Sequence, residues 1–180
     1  YFGNDHFAVF APGMKTIDDA LELRARIFDS FEKAEIESDP HEIDRLLTFV
    51  VVGAGPTGVE MAGQIREMAS HTLAKEFRAI DPTKARVILV DGADRPLPVF
   101  GEKLGDVTRH ELEKLGVEVK THAFVTDLDR DTVTLKFKDG STETIRSNCK
   151  VWAAGVQASE LGAVLRDKAD AELDRAGRVI

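Results

Sequence analysis

The sequence predicts an α/β fold in which a parallel sheet lies between two covering layers. Three observations point to it. The apolar runs LLTFVVV (residues 46–52) and RVILV (86–90) are too continuous to alternate between a wet and a dry face, which is the pattern of strands buried on both sides. Each is followed by a stretch with helical spacing of apolar residues, the crossover that parallel strands require. After Lys120 the pattern changes: residues 123–128, 131–137 and 141–147 alternate like an antiparallel meander, with turn signals at Asp129-Arg130-Asp131 and Asp139-Gly140.

Residues 1–15 are irregular, with turn chemistry at Gly3-Asn4-Asp5 and Pro12-Gly13. Thr16 then fits a helix N-cap, with Asp18 and Asp19 in the first turn, where the helix dipole favours acids. Leu21, Leu23, Ile27, Phe28, Phe31 and Ala34 follow at helical spacing, and Ser38-Asp39-Pro40 ends that helix. The first buried strand runs from Leu46 to Val52, a second helix from about Thr57 to Ile80, and the second strand from Arg86 to Val90. Gly101–Leu115 is an amphipathic helix, with Gly116 where a C-terminal glycine cap belongs. Val117–Lys120 is a short third strand, and Val151–Ala154, beyond the meander, is a last buried strand ending at Gly155. The series makes one α/β nucleotide-binding unit.

Composition narrows the function. The 180 residues are 43% hydrophobic and 31% charged, an ordinary globular balance that argues against disorder. A net charge of −8 argues against a nucleic-acid surface, which needs clustered Lys and Arg. The single cysteine, Cys149, leaves no disulfide framework or CxxC pair, in keeping with a reducing compartment. The longest apolar run, Leu46 to Gly55, is about half of what a membrane span needs. The five histidines do not cluster at metal-ligand spacing, so no metal is expected.

The chemistry centres on Gly53-Ala54-Gly55-Pro56-Thr57-Gly58. In such a fingerprint Gly53 makes the tight turn, Gly55 lets the backbone approach a pyrophosphate, and Gly58 lets the helix pack closely on the strand. Pro56 and Thr57 open the helix, whose first N–H groups then face the phosphates. A buried strand before it, a helix after it and a second strand ending in an acid give this GxGxxG its context. Asp91, followed by Gly92, is that acid: its carboxylate would accept hydrogen bonds from the adenosine ribose and repel a 2′-phosphate. It lies further along than the roughly 20 positions usual for the motif, the excess being absorbed by the long helix and the AIDPTKA loop. Arg95, which could meet a 2′-phosphate, argues the other way. The balance favours NADH over NADPH.

TFVVVGAGPTGVEMAGQI, FRAIDPTKARVILVDGADRPLPVFGEKL, ELEKLGVEV and VWAAGVQAS together resemble the NADH-binding half of a type II NADH dehydrogenase. These are non-proton-pumping NADH:quinone oxidoreductases within the two-dinucleotide-binding-domain flavoproteins. The resemblance implies a Rossmann-like, three-layer NAD(H)-binding domain whose parallel sheet is crossed by an antiparallel β-meander, inserted into an FAD domain. It divides the chain into a leading segment and helix linking from the FAD domain (1–45), the NADH domain (46–155) and the start of the return to the FAD domain (156–180). The opening fingerprint is then the NADH site, with FAD held only by the longer parent, upstream and downstream of these residues.

The resemblance also assigns roles. Glu60, in TGVE, would lie near the nicotinamide and orient its carboxamide; the plainer alternative is a helix-start acid favoured by the dipole. Ala154, Gly155 and Val156 would border the nicotinamide, and Gln157 would face the flavin–quinone junction unless it is simply solvent-exposed. Leu97-Pro98-Val99-Phe100 would lead into the next helix on the adenosine side, with Pro98 and Phe100 packing, and Cys149 would be a small buried hydrophobe. The parent is expected to be a peripheral membrane enzyme on the cytoplasmic side, with NADH, a quinone and the membrane surface as partners. The fragment itself would be soluble and inactive alone. The oligomeric state stays open, a homodimer included. Two other readings remain: the NADH domain of a soluble flavoprotein reductase or oxidase, and a free-standing NAD-binding sensor.

Overall fold

The computed structural model describes residues 1–180 except Val156, Gln157 and Arg175. Five α-helices and seven strands follow in the order α1 (Ile17–Ile36), α2 (Pro40–Leu46), β1 (Thr48–Val52), α3 (Pro56–Glu67), β2 (Arg86–Val90), α4 (Glu102–Leu115), β3 (Val117–Lys120), β4 (Ala123–Leu128), β5 (Thr132–Phe137), β6 (Thr142–Arg146), β7 (Cys149–Trp152) and α5 (Leu161–Ala169). Four strands form a parallel sheet in the order β3-β2-β1-β7, and β4-β5-β6 form a separate antiparallel sheet.

Three layers result, because the central strands β1 and β2 are apolar and buried on both sides. Phe49, Val51, Val87, Leu89, Cys149 and Val151 face the helices, where Leu23, Ile27 and Phe31 of α1 and Ala62 and Ile65 of α3 meet them. The alternate residues Val50, Val52, Ile88, Val90 and Trp152 face the meander and pack on Val133, Leu135 and Ile145. Each such side chain taken fully out of water contributes about 1.5–3 kcal/mol before the entropy cost of ordering it. Among the described residues Ser30, Thr48, Ser147 and Lys150 are the buried polar positions, and Lys150 alone of these is charged. Lys150 on β7 points into the meander layer at 1% exposure, and its Nζ donates to the Arg130 carbonyl at 2.5 Å. Burial pulls its pKa down to about 8, although Asp129 and Asp131 nearby act in the opposite sense.

Most boundaries agree with the sequence. Thr16 caps α1 in a full capping box with Asp19, and Gly116 ends α4 in the left-handed conformation. Two differ. Asp39-Pro40 does not merely stop α1; Asp39 caps α2, with Pro40 in its first turn, where a missing N–H costs nothing, so β1 starts at Thr48. The helix expected over 57–80 ends as α3 at Glu67 and closes in a π-turn, Met68–Thr72. The Glu35 carboxylate of α1 collects the N–H groups of Arg78, Ala79 and Ile80 at 2.9–3.2 Å and holds that stretch outside any helix. Beyond the parallel sheet, α5 and a bridge between Leu173 and Val179 form a small C-terminal unit.

Candidate functional site

The chain leaves β1 towards β2 on one side, while β7 returns on the other. The carboxyl ends of β1 and β7 therefore flank a topological switch point, where open α/β sheets leave a crevice for ligands. The fingerprint fills it. Gly53 N–H donates to Val90 O and Ala153 N–H to Val52 O, both at 2.7 Å, which stitches the turn to its neighbours on either side.

The three glycines have three different surroundings. Gly53 has φ +107°, and a Cβ there would stand 2.5 Å from the Ala154 nitrogen. At Gly58 a Cβ would fall on the Gly53 carbonyl oxygen, with the Ala153 methyl 3.3 Å away. Both are excluded by protein backbone, so these glycines lock α3 onto the two strands. Gly55 differs: its φ is −71°, and nothing lies within 4 Å of a Cβ built on it. Its vacant space faces outward at the start of α3, where no side chain caps the first N–H groups. The arrangement can receive an anion against backbone N–H donors at a helix N-terminus.

Asp91 closes the other side. Its Oδ2 accepts from the Ala54 N–H at 2.6 Å and its Oδ1 from the Ala93 N–H at 2.7 Å. The carboxylate thus braces the glycine turn against the end of β2 and still has spare lone pairs on both oxygens. Sequence reasoning expected a carboxylate reserved for ribose; the bracing contact was not foreseen. Gly92 lies directly beneath the Phe124 ring, which is 56% exposed at the start of β4. Phe124 was also missed, although an aromatic residue on the otherwise polar face of the first meander strand was a readable signal.

The remaining candidates divide. Thr57, Ala154 and Gly155 line a hollow of about 1240 Å³, together with Tyr1, Phe2 and Trp152. The Trp152 ring lies 4.9 Å from Tyr1 and 6.0 Å from Phe7, and its Nε1 is buried without a hydrogen-bond partner among the described residues. Pro56 and Glu60 are exposed on the first two turns of α3, outside that lining, and Glu60 makes no ion pair or side-chain hydrogen bond among the described residues. Val156 and Gln157 lie outside the described residues. Pro98 and Phe100, expected to pack, are exposed, Phe100 by 53%. Cys149 is a buried hydrophobe as expected, its thiol pushed up to about 12 by desolvation, which rules it out as a nucleophile. Among the described residues no three His, Cys, Asp or Glu side chains are placed to hold a metal ion, and no helix is long and apolar enough to cross a membrane.

Comparison with known proteins agrees with this geometry. The family described as pyridine nucleotide-disulphide oxidoreductase matches residues 4–180. The chain is 63% identical over 179 residues to the type II NADH:quinone oxidoreductase Ndh of Mycobacterium tuberculosis, covering 99% of this chain and 39% of that protein. It is 59% identical to the type II NADH:quinone oxidoreductase NdhA of the same organism, covering 100% of this chain and 38% of the relative. The chain thus spans about two fifths of the length of these relatives. Among solved structures, NDH2 from Plasmodium falciparum in complex with NADH superposes with a TM-score of 0.84 at 24% identity, covering 94% of this chain and 35% of that one. That likeness establishes the fold, and the expected Rossmann-like layering is present.

Proposed function

The chain belongs to the pyridine nucleotide-disulphide oxidoreductase family, and from that premise we propose that it is the NADH-binding domain of a flavin-dependent NADH:quinone oxidoreductase. The observation that carries this reading is the contrast at the fingerprint: Gly53 and Gly58 are filled by the protein's own backbone, while Gly55 faces open space at an uncapped helix start. The protein's own packing holds positions 53 and 58 to glycine but not position 55, whose open space lies against the first N–H groups of α3. A pyrophosphate against α3, a ribose on the free lone pairs of Asp91 and an adenine towards Gly92 fit the opening.

In this reading residues 46–155 hold the dinucleotide, residues 1–45 lead in from a flavin-holding domain and residues 156–180 lead back to it. When bound, NADH supplies a hydride, which FAD in that other domain would accept before a quinone is reduced. The chain's own task is orientation and exclusion of water; none of its side chains needs to act as a nucleophile. Glu60, with no ion pair or side-chain hydrogen bond among the described residues, would orient the carboxamide end of the nicotinamide. Ala154 and Gly155, which line the hollow with Trp152, would border its ring; Val156 would share that role and Gln157 would serve the flavin and quinone side. The strong similarity to two type II enzymes supports the quinone as final acceptor. Titration calorimetry of the chain with NADH tests the foundation: saturable one-to-one binding is expected without flavin, and its absence would remove the reading.

A further inference from the structure

Arg95 is the only basic side chain of the loop from Asp91 to Gly101, and that loop frames the adenosine side of the opening. It begins at the Asp91 brace and returns to the glycine turn, where the Leu97 N–H donates to Ala54 O at 2.8 Å. A cation on this rim is where a ribose 2′-phosphate would find its partner. The structure does not leave it available. Its guanidinium is bonded by Nε and Nη2 to Asp94 Oδ2 at 3.2 and 3.0 Å, with Glu102 and Asp106 of α4 each 3.5 Å away. Its stem is fixed as well: a Cβ at Gly105 would stand 2.8 Å from Arg95 Cδ, so the side chain lies pressed into the groove that this glycine opens on α4.

We propose that Asp94, Glu102 and Asp106 sequester Arg95 and thereby withhold from the site this loop's cation, which could otherwise meet the 2′-phosphate of NADPH. The inference rests on the dinucleotide reading above and extends it: discrimination against the 2′-phosphate comes from a captured arginine as well as from Asp91. Two independent features carry it, the three-acid cage and the glycine groove that seats the stem. Three carboxylates around one guanidinium leave the rim net negative, which itself repels a phosphate. An arginine placed only to support the loop would not need three acids. Arg109 already does that work, bonding Asp94 O at 3.1 Å and Thr121 Oγ1 at 2.9 Å.

The test is a comparison of four proteins by titration with NADH and with NADPH: the parent, Arg95→Gln, the release variant Asp94→Asn/Glu102→Gln/Asp106→Asn, and the release variant carrying Arg95→Gln in addition. Release should tighten NADPH binding by at least about tenfold, equal to about 1.4 kcal/mol, and leave NADH binding near the parent's. Adding Arg95→Gln to the release variant should cancel the gain, whereas Arg95→Gln in the parent should alter NADPH binding little, because the arginine is already occupied. A gain that survives the loss of Arg95 would mean that charge removal alone is responsible and would overturn the proposal, as would no gain at all. Failure of the parent to bind NADH would instead overturn the dinucleotide reading, so the two failures are distinguishable.

Discussion

Replacing Gly55 by valine should separate binding from folding. The position has φ −71°, which any residue adopts, and nothing lies within 4 Å of a built Cβ, so the isopropyl group enters solvent-filled space. Valine caps a helix less well than glycine, but it also loses less unfolded-state entropy, worth about 0.4–1 kcal/mol, so the net change in stability should stay within about 1 kcal/mol. For a chain of this size that moves the unfolding midpoint by a few degrees at most, about 2–4 °C. Binding should suffer far more. The same space is where a pyrophosphate must come against the first N–H groups of α3, and each charge-assisted hydrogen bond lost costs about 1.5–3 kcal/mol. A loss of one or two of them corresponds to a decline of about a hundredfold in NADH affinity. Calorimetric titration and thermal unfolding on the same preparation give both numbers. Gly58→Ala is the counterpart: its Cβ would fall on the Gly53 carbonyl, so it should lower the midpoint clearly even without ligand. An affinity for Gly55→Val within about threefold of the parent would refute the assignment of the phosphate loop.

Asp91→Asn should lower both stability and selectivity, because an amide cannot accept from the Ala54 and Ala93 N–H groups together and no longer repels a 2′-phosphate. An unpaired N–H costs about 1–3 kcal/mol, visible in thermal unfolding, and the ratio of NADH to NADPH affinity should narrow; equal binding of both by the parent would count against this role. Lys150 should make the parent's stability climb with pH. Its folded pKa of about 8 lies below the unfolded value of 10.5, so between them the unfolded chain binds the extra proton and folding gains. Denaturant unfolding from pH 8 to 10 should move in the parent's favour relative to Lys150→Met by an amount of order 1–3 kcal/mol, and parallel curves would contradict the burial of a titrating amine. The comparison is needed because Cys149, held at about 12, acts in the opposite direction above pH 9 in both proteins. In an enzyme joining this domain to its flavin, Glu60→Gln should slow flavin reduction in stopped-flow more than it weakens NADH binding, since misplacing reacting atoms by about 1 Å can cost on the order of a hundredfold. Unchanged reduction and turnover would return Glu60 to a helix-start acid.

The parallel sheet and the meander could be read from the chain because their signals are local: unbroken apolar runs on one side of Lys120, alternation on the other. The glycine spacing carried the tight turn between β1 and α3 for the same reason, since strand, turn and helix lie within twenty residues. What escaped depended on partners distant in sequence. Nothing between 57 and 80 announces that Glu35 will hold Arg78, Ala79 and Ile80 out of the helix. The brace from Asp91 to Ala54 spans two strands, and Phe124 reaches Gly92 only once the meander has folded over β2. Pro40 was legible as a boundary but ambiguous in sense, because the residue that ends one helix also fits the first turn of the next.

Trp152 is the sole tryptophan of the chain, buried to 6% exposure and lining the hollow that Thr57, Ala154 and Gly155 share. Its position turns a packing residue into an optical probe. Emission from a single shielded indole overlaps the absorption of a reduced nicotinamide, so NADH held in the proposed seat would drain the excited state by energy transfer. Binding in that hollow would then be read from the parent itself, with no label and no substitution.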